Sequence, residues 1–156
     1  MTLVQIDLPD LAAMERFGAR IAAQLCADDV VALSGELGAG KTTLARAILL
    51  ALGHRGEVPS PSFAILEHYD VPGGSGGVRL SVVHADFYRI ADRTELVELG
   101  LDELREGAVL LAEWPEHAGG FGDEPGCLSV ALEAAENGRR AIVSPGADWL
   151  GRGPWT

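Results

Sequence analysis

The chain has 156 residues, enough for one domain with a proper core and too few for two, since a domain of about 150 residues buries roughly 70% of its unfolded surface. Its formal charge of -11, from 23 acidic and 12 basic residues, leaves no continuous cationic footprint for a nucleic-acid backbone, so direct binding of DNA or RNA is not expected. No run approaches the ~18 apolar residues of a membrane span, no basic-then-apolar leader opens the chain, and Cys26 and Cys127 have neither metal-ligand nor framework spacing, so a cytoplasmic protein with reduced thiols is expected.

Residues 2–7 alternate as a strand, and Asp10 then caps a helix whose stripe of Leu11, Met14, Phe17, Ile21 and Leu25 predicts a core-facing side. Residues 30–33 are a short, β-branched apolar run, and they lead into Gly35-Glu36-Leu37-Gly38-Ala39-Gly40-Lys41-Thr42. These eight residues fit G-x-x-x-x-G-K-[ST] at every specified position. Residues 43–52 form a strong helix, closed by Gly53 at the C′ position. Strand, glycine loop and helix thus follow in the order that a phosphate-binding P-loop requires. Its backbone N–H groups, from Gly35 through Thr43, are expected to curl around an anion; Lys41 reaches the β and γ phosphates, and the Thr42 hydroxyl is placed for Mg²⁺. Lys41 is the only lysine in the chain, the other eleven basic residues being arginine. A compact ammonium is kept only where it must fit between phosphates.

Residues 58–63 (VPSPSF) cannot be helical, because each residue before a proline is pushed to extended geometry. Their hydroxyls, Ser60 and Ser62, sit on a stiff loop that either senses a γ phosphate or serves as a rigid connector. Residues 63–69 and 78–83 read as strands joined across the glycine-rich segment 72–77. Asp92 and Glu95 resemble a capping box before a short helix that Gly100 ends. Residues 108–112 (AVLLA) are the most uniformly apolar strand, as in the middle of a sheet covered on both faces. Residues 128–132 and 140–143 form a hairpin around Asn137-Gly138, a type I′ turn signal, and the last dozen residues say little. The order of elements predicts a P-loop NTPase-like α/β three-layer sandwich, with a central, mainly parallel sheet and added antiparallel strands, as one domain over residues 1–156.

Hydrolysis or transfer also needs a carboxylate at a strand end, to hold Mg²⁺ or orient the nucleophile. Two runs end in one: VVHA in Asp86, and VLLA in Glu113. In open α/β sheets such carboxyl ends line the ligand crevice. Glu113 follows a fully apolar run, where an isolated carboxylate is expensive unless it meets a cation or a polar cleft. His84 shares a strand face with Asp86, which suits either a hydrogen-bonded core histidine or a base, and the four histidines show no zinc-ligand spacing. Trp114 either stacks on a nucleotide or fills space beside the site.

The succession Gly-Glu-Leu-Gly-Ala-Gly-Lys-Thr-Thr, Ser-Pro-Ser-Phe, His-Ala-Asp-Phe-Tyr-Arg, Glu-Leu-Gly-Leu-Asp-Glu and Ala-Glu-Trp-Pro closely resembles the TsaE family, also called YjeE, over roughly residues 5–145. The resemblance implies a small bacterial ATPase, using ATP and Mg²⁺, that is needed for N6-threonylcarbamoyladenosine at position 37 of tRNA and works with the TsaB and TsaD proteins. It implies that Lys41 and Thr42 hold phosphates and Mg²⁺, that the Ser60 to Phe63 loop is a switch, that Asp86 is a catalytic acid and that Glu113 is the Mg²⁺ ligand. Trp114 belongs to the same motif, Arg139 is implied as a nucleotide contact, and the segment around Leu11 as a border of the adenine. Ser62 stands where the family usually has Thr. The hydroxyl survives, but the stiffer β-branched side chain does not. A P-loop small-molecule kinase, which would typically add cationic residues over the transferred phosphate, and a nucleotide-gated scaffold without turnover remain as alternatives.

Overall fold

The computed structural model describes residues 3–59, 66–73 and 77–153. Its strands are β1 (Val4–Leu8), β2 (Val30–Ser34), β3 (Leu66–Val71), β4 (Leu80–Asp86), β5 (Ala108–Glu113), β6 (Cys127–Ala134) and β7 (Arg139–Pro145), and its helices are α1 (Leu11–Ala22), α2 (Lys41–Ala51), α3 (Thr94–Leu99) and α4 (Leu101–Arg105). The strands form one sheet in the order β1-β7-β6-β2-β5-β4-β3. Pairs β6–β2, β2–β5 and β5–β4 are parallel, whereas β1–β7, β7–β6 and β3–β4 are antiparallel. The expected mixed sheet with a parallel centre is therefore present, and β5 lies inside it with all six residues buried.

The two-residue period of the central strands sorts their side chains into two cores. Val31, Leu33, Val109 and Leu111 join the α1 and α2 residues Phe17, Ile21, Leu44 and Ile48 on one face. Val30, Ala32, Leu110 and Ala112 meet Phe87, Leu101 and Phe121 on the other, with Leu96 and Leu99 packed against them. Three layers result. A fully buried Leu, Ile or Phe contributes roughly 1.5–3 kcal/mol, so most of the cohesion resides in these two clusters. Helices α1 and α2 cross at Gly18, where an added Cβ would lie 2.6 Å from Ala47 Cβ. Any larger residue at position 18 would push the helices apart.

Several local expectations are corrected. Asp10 does cap α1, accepting from the Ala13 amide at 2.8 Å, but Leu11 is 60% exposed while Met14, Phe17, Ile21 and Leu25 are buried. Leu11 is the first helical residue and borders a depression with Gly38 and Gly40 of the glycine loop. No capping box forms at Asp92. The α3 helix starts at Thr94, and Asp92 Oδ1 instead accepts the Thr94 amide in a local turn, although Gly100 ends the helix at φ 70° as expected. The β6–β7 connection is not type I′, which needs positive φ at both central residues. Only Gly138 has it, and the Ala135 amide closes a wider turn onto the Gly138 carbonyl. Near the end of the described chain, Trp149 is fully buried and donates to the Gly126 carbonyl at 2.8 Å, an anchor that no periodicity announces. No helix among the described residues is long and apolar enough to cross a membrane.

Candidate functional site

Strand β2 ends at Ser34, and the glycine-rich segment then turns back to start α2 at Lys41. Gly35 must be glycine: it sits at φ 140°, and a Cβ there would lie 2.5 Å from the Leu132 carbonyl oxygen. Lys41 is 5% exposed and donates to the carbonyls of Gly35 at 2.7 Å and Glu36 at 2.8 Å. Its ammonium thus lies inside the curl of its own loop. Burial pushes the lysine below its ordinary value, while the nearby carboxylates of Glu113, Asp86 and Glu116 pull it back up.

Thr42, one residue on, faces the end of β5. Its hydroxyl lies 2.8 Å from Glu113 Oε1 and 3.0 Å from Oε2. Glu113 is 3% exposed, and its second oxygen also meets His84 Nε2 at 2.6 Å. The cost of a carboxylate at the end of an apolar strand is offset by these two partners, one from the first turn of α2 and one from β4.

Asp86 ends β4 directly opposite Glu113 in the parallel ladder. Its Oδ1 accepts the Tyr88 amide at 2.9 Å. Burial raises its pKa above the ordinary value; the Tyr88 bond opposes that, the Glu113 charge adds to it, and His84 and Lys41 oppose it further. Asp86, Glu113, Lys41, Thr42 and Thr43 line one cleft of about 400 Å³ together with Gly38, Trp114, Tyr88 and Arg89.

Trp114 has φ 57° and ψ 51°, a left-handed conformation that is unusual for a bulky residue and turns the chain off the end of β5. The turn lays the indole over the Lys41 ammonium, 4.4 Å from the ring centroid, with the Tyr88 ring packed beside it at 4.9 Å. The side chain that sequence left between stacking and filling thus covers the buried cation. A backbone in that region costs of order 1–3 kcal/mol and persists where the surroundings hold it in place.

Arg139 stands behind the loop. Its guanidinium donates to the carbonyls of Ala39 at 3.1 Å, Gly38 at 3.0 Å and Gly138 at 3.2 Å. Leu11, Met14, Gly38, Gly40, Thr43 and Arg139 border a separate depression of about 270 Å³ on that side. Ser60 and Ser62 lie outside the described residues. Just before them, the Val58 carbonyl accepts from Arg46 of α2 at 3.1 Å. Sequence reasoning did not single out Tyr88 or Arg89 at the cleft, and their signal was adjacency to Asp86. It also left His84 undecided, whereas the structure puts its ring on Glu113.

The family model for the threonylcarbamoyl adenosine biosynthesis protein TsaE matches residues 8–142. The tRNA threonylcarbamoyladenosine biosynthesis protein TsaE of Haemophilus influenzae is 38% identical over 120 residues, covering 73% of this chain and 72% of its own. The protein of that name from Rickettsia prowazekii is 33% identical over 127 residues, covering 81% and 83%. The crystal structure of Bacillus subtilis YdiB matches with a TM-score of 0.68 at 27% identity, over 91% of this chain and 84% of that one.

Proposed function

The chain belongs to the TsaE family of threonylcarbamoyl adenosine biosynthesis proteins, and from that premise we propose that it is a Mg²⁺-dependent ATPase serving the N6-threonylcarbamoyladenosine modification of tRNA. The observation that carries this reading is the Thr42 hydroxyl on the Glu113 carboxylate beside the buried Lys41. A hydroxyl and a carboxylate at this spacing are hard oxygen donors of the kind Mg²⁺ takes, supplied through few protein ligands so that substrate phosphates complete the set. The residues present therefore fit the ion. When bound with ATP it would neutralise charge on the phosphates.

Lys41 supplies a point charge for the β and γ phosphates once those oxygens replace the carbonyls of Gly35 and Glu36 as its acceptors. The loop amides from Gly38 through Thr43 cradle the same phosphates at the start of α2. Asp86, at the same level as Glu113 and with its pKa raised by burial, orients the attacking water and accepts its proton as the Pγ–O bond to ADP breaks. Trp114 and Tyr88 exclude bulk water from the Lys41 side of the cleft.

TsaB and TsaD are the proposed partners. The net charge of -11 leaves binding of tRNA to them and favours a cationic docking surface, so association should weaken with added salt. The Arg46 bond to Val58 tethers the entry to the Ser60 and Ser62 segment, the proposed γ-phosphate switch. The test is a measurement of ADP and phosphate made with Mg²⁺·ATP, alone, with small-molecule acceptors, and with a TsaB–TsaD mixture. Slow release of both products, faster with TsaB and TsaD, supports the ATPase. ADP formed only with an acceptor and without phosphate would establish a kinase, and binding without either product a scaffold.

A further inference from the structure

A cost in the buried centre calls for a reason. His84 is fully buried, and its Nδ1 has no hydrogen-bond partner among the described residues. An unsatisfied buried polar atom destabilises the fold, so an apolar residue would serve packing better at this point of β4. What a leucine would lack is Nε2, which lies 2.6 Å from Glu113 Oε2. Because the carboxylate is the acceptor, the proton is assigned to Nε2.

The second donor to Glu113 is of a different kind. Thr42 has one hydroxyl proton to share between both carboxylate oxygens, and it sits in the first turn of α2, directly after the glycine loop. His84 sits on β4, whose parallel ladder with β5 is fixed by the core. We infer that His84 is a positioning residue for Glu113: it holds Oε2 from the sheet side, so that Oε1 and the Thr42 hydroxyl oxygen stay presented together as a ligand pair. The inference rests on the reading of Glu113 as a Mg²⁺ ligand. Partners of this kind typically set metal affinity by 10–100-fold through the ligand they orient.

The test compares ADP affinity, by calorimetry, with and without Mg²⁺ for the wild type, Glu113→Gln, His84→Leu and His84→Gln. Mg²⁺ should tighten ADP binding to the wild type, and Glu113→Gln should lose that gain. His84→Leu should lose about tenfold or more of it while Mg²⁺-free ADP affinity and thermal midpoint are kept. His84→Gln, whose amide can donate near the Nε2 position, should restore most of it. Should Glu113→Gln lose the gain while His84→Leu keeps it, or His84→Leu weaken Mg²⁺-free binding equally, the positioning role is overturned. A full gain in Glu113→Gln would instead overturn the ligand reading, and this inference with it. If His84→Leu does not fold, ¹⁵N-histidine spectra of the wild type decide: an Nε2–H tautomer whose proton shifts on adding Mg²⁺ with ADP is expected, and an Nδ1–H tautomer or an unmoved signal overturns it.

Discussion

Asp86 and Glu113 are Cα partners in the β4–β5 ladder, so two acids far apart in sequence end adjacent parallel strands at one level. The α2 N-terminus brings Lys41 and Thr42 to the same edge. Two carboxylates beside a single buried ammonium leave an excess of negative charge at this edge, which a bound cation would balance.

Both acids should therefore matter to turnover. Glu113→Gln is expected to lower ATP hydrolysis by at least about a hundredfold, or about 2.7 kcal/mol of barrier, with the fold intact. Asp86→Asn should also be slow. If only one substitution matters in steady-state phosphate release, the other residue is a structural strand-end acid and the two-carboxylate site is wrong.

Asp86 carries a separate, pH-dependent signature. Its folded-state value is raised above the ordinary one of 3.8, so the folded protein binds this proton more tightly than the unfolded chain does. Ionised Asp86 thus opposes folding at neutral pH. Asp86→Asn should raise the thermal midpoint of the nucleotide-free protein at pH 7, and the gain should shrink as pH falls through the raised value and vanish below about 3.8. A gain that is flat from pH 7 to below that value would contradict the burial of this carboxylate.

Because Lys41 is the only lysine, amine chemistry reads the site directly. An acyl-phosphate ATP probe should acylate Lys41, with the α-amine as the one competing amine, and excess ATP should protect it. Lys41→Met should abolish labelling at this position and nucleotide binding without lowering the thermal midpoint, since burial already disfavours the charge. Equal labelling of Lys41 with and without ATP would remove it from the nucleotide site.

Arg139 props the glycine loop through the carbonyls of Gly38 and Ala39. Arg139→Met should cost roughly 1–3 kcal/mol of stability, the usual range for lost hydrogen bonds to a charged group. Weaker ATP and ADP binding should accompany it, because a loosened loop must be ordered when phosphates bind. If calorimetry shows unchanged affinity for both nucleotides, the loop does not depend on this prop.

The legible part of the fold was the part set by local pattern. The β-branched run at Val30, the glycine loop, the α2 helix and the apolar β5 each carry their own signal, and their order implied the parallel centre. Trp149, the α4 helix after Gly100, and the wider turn at Gly138 were missed because tertiary contacts or backbone angles, not periodicity, decide them. Lys41, Thr42, Asp86 and Glu113, singled out by motif and by strand ends, meet at one cleft. The role of His84 was not legible, since the ring that meets Glu113 comes from a neighbouring strand 29 residues away, and nothing in spacing reports that distance. Arg139 was read by family resemblance as a nucleotide contact; its guanidinium donates to the carbonyls of Gly38, Ala39 and Gly138, a role that spacing does not report.

The central claim is that Thr42 and Glu113, beside Lys41, form the Mg²⁺ end of an ATP-hydrolysing cleft. Phosphate release from ATP by the purified chain with TsaB and TsaD, titrated with Mg²⁺ for wild type and Glu113→Gln in parallel, tests it most directly. The account predicts turnover that requires Mg²⁺ in the wild type and falls at least about a hundredfold in the variant. Equal Mg²⁺-dependent turnover in the two proteins would contradict it.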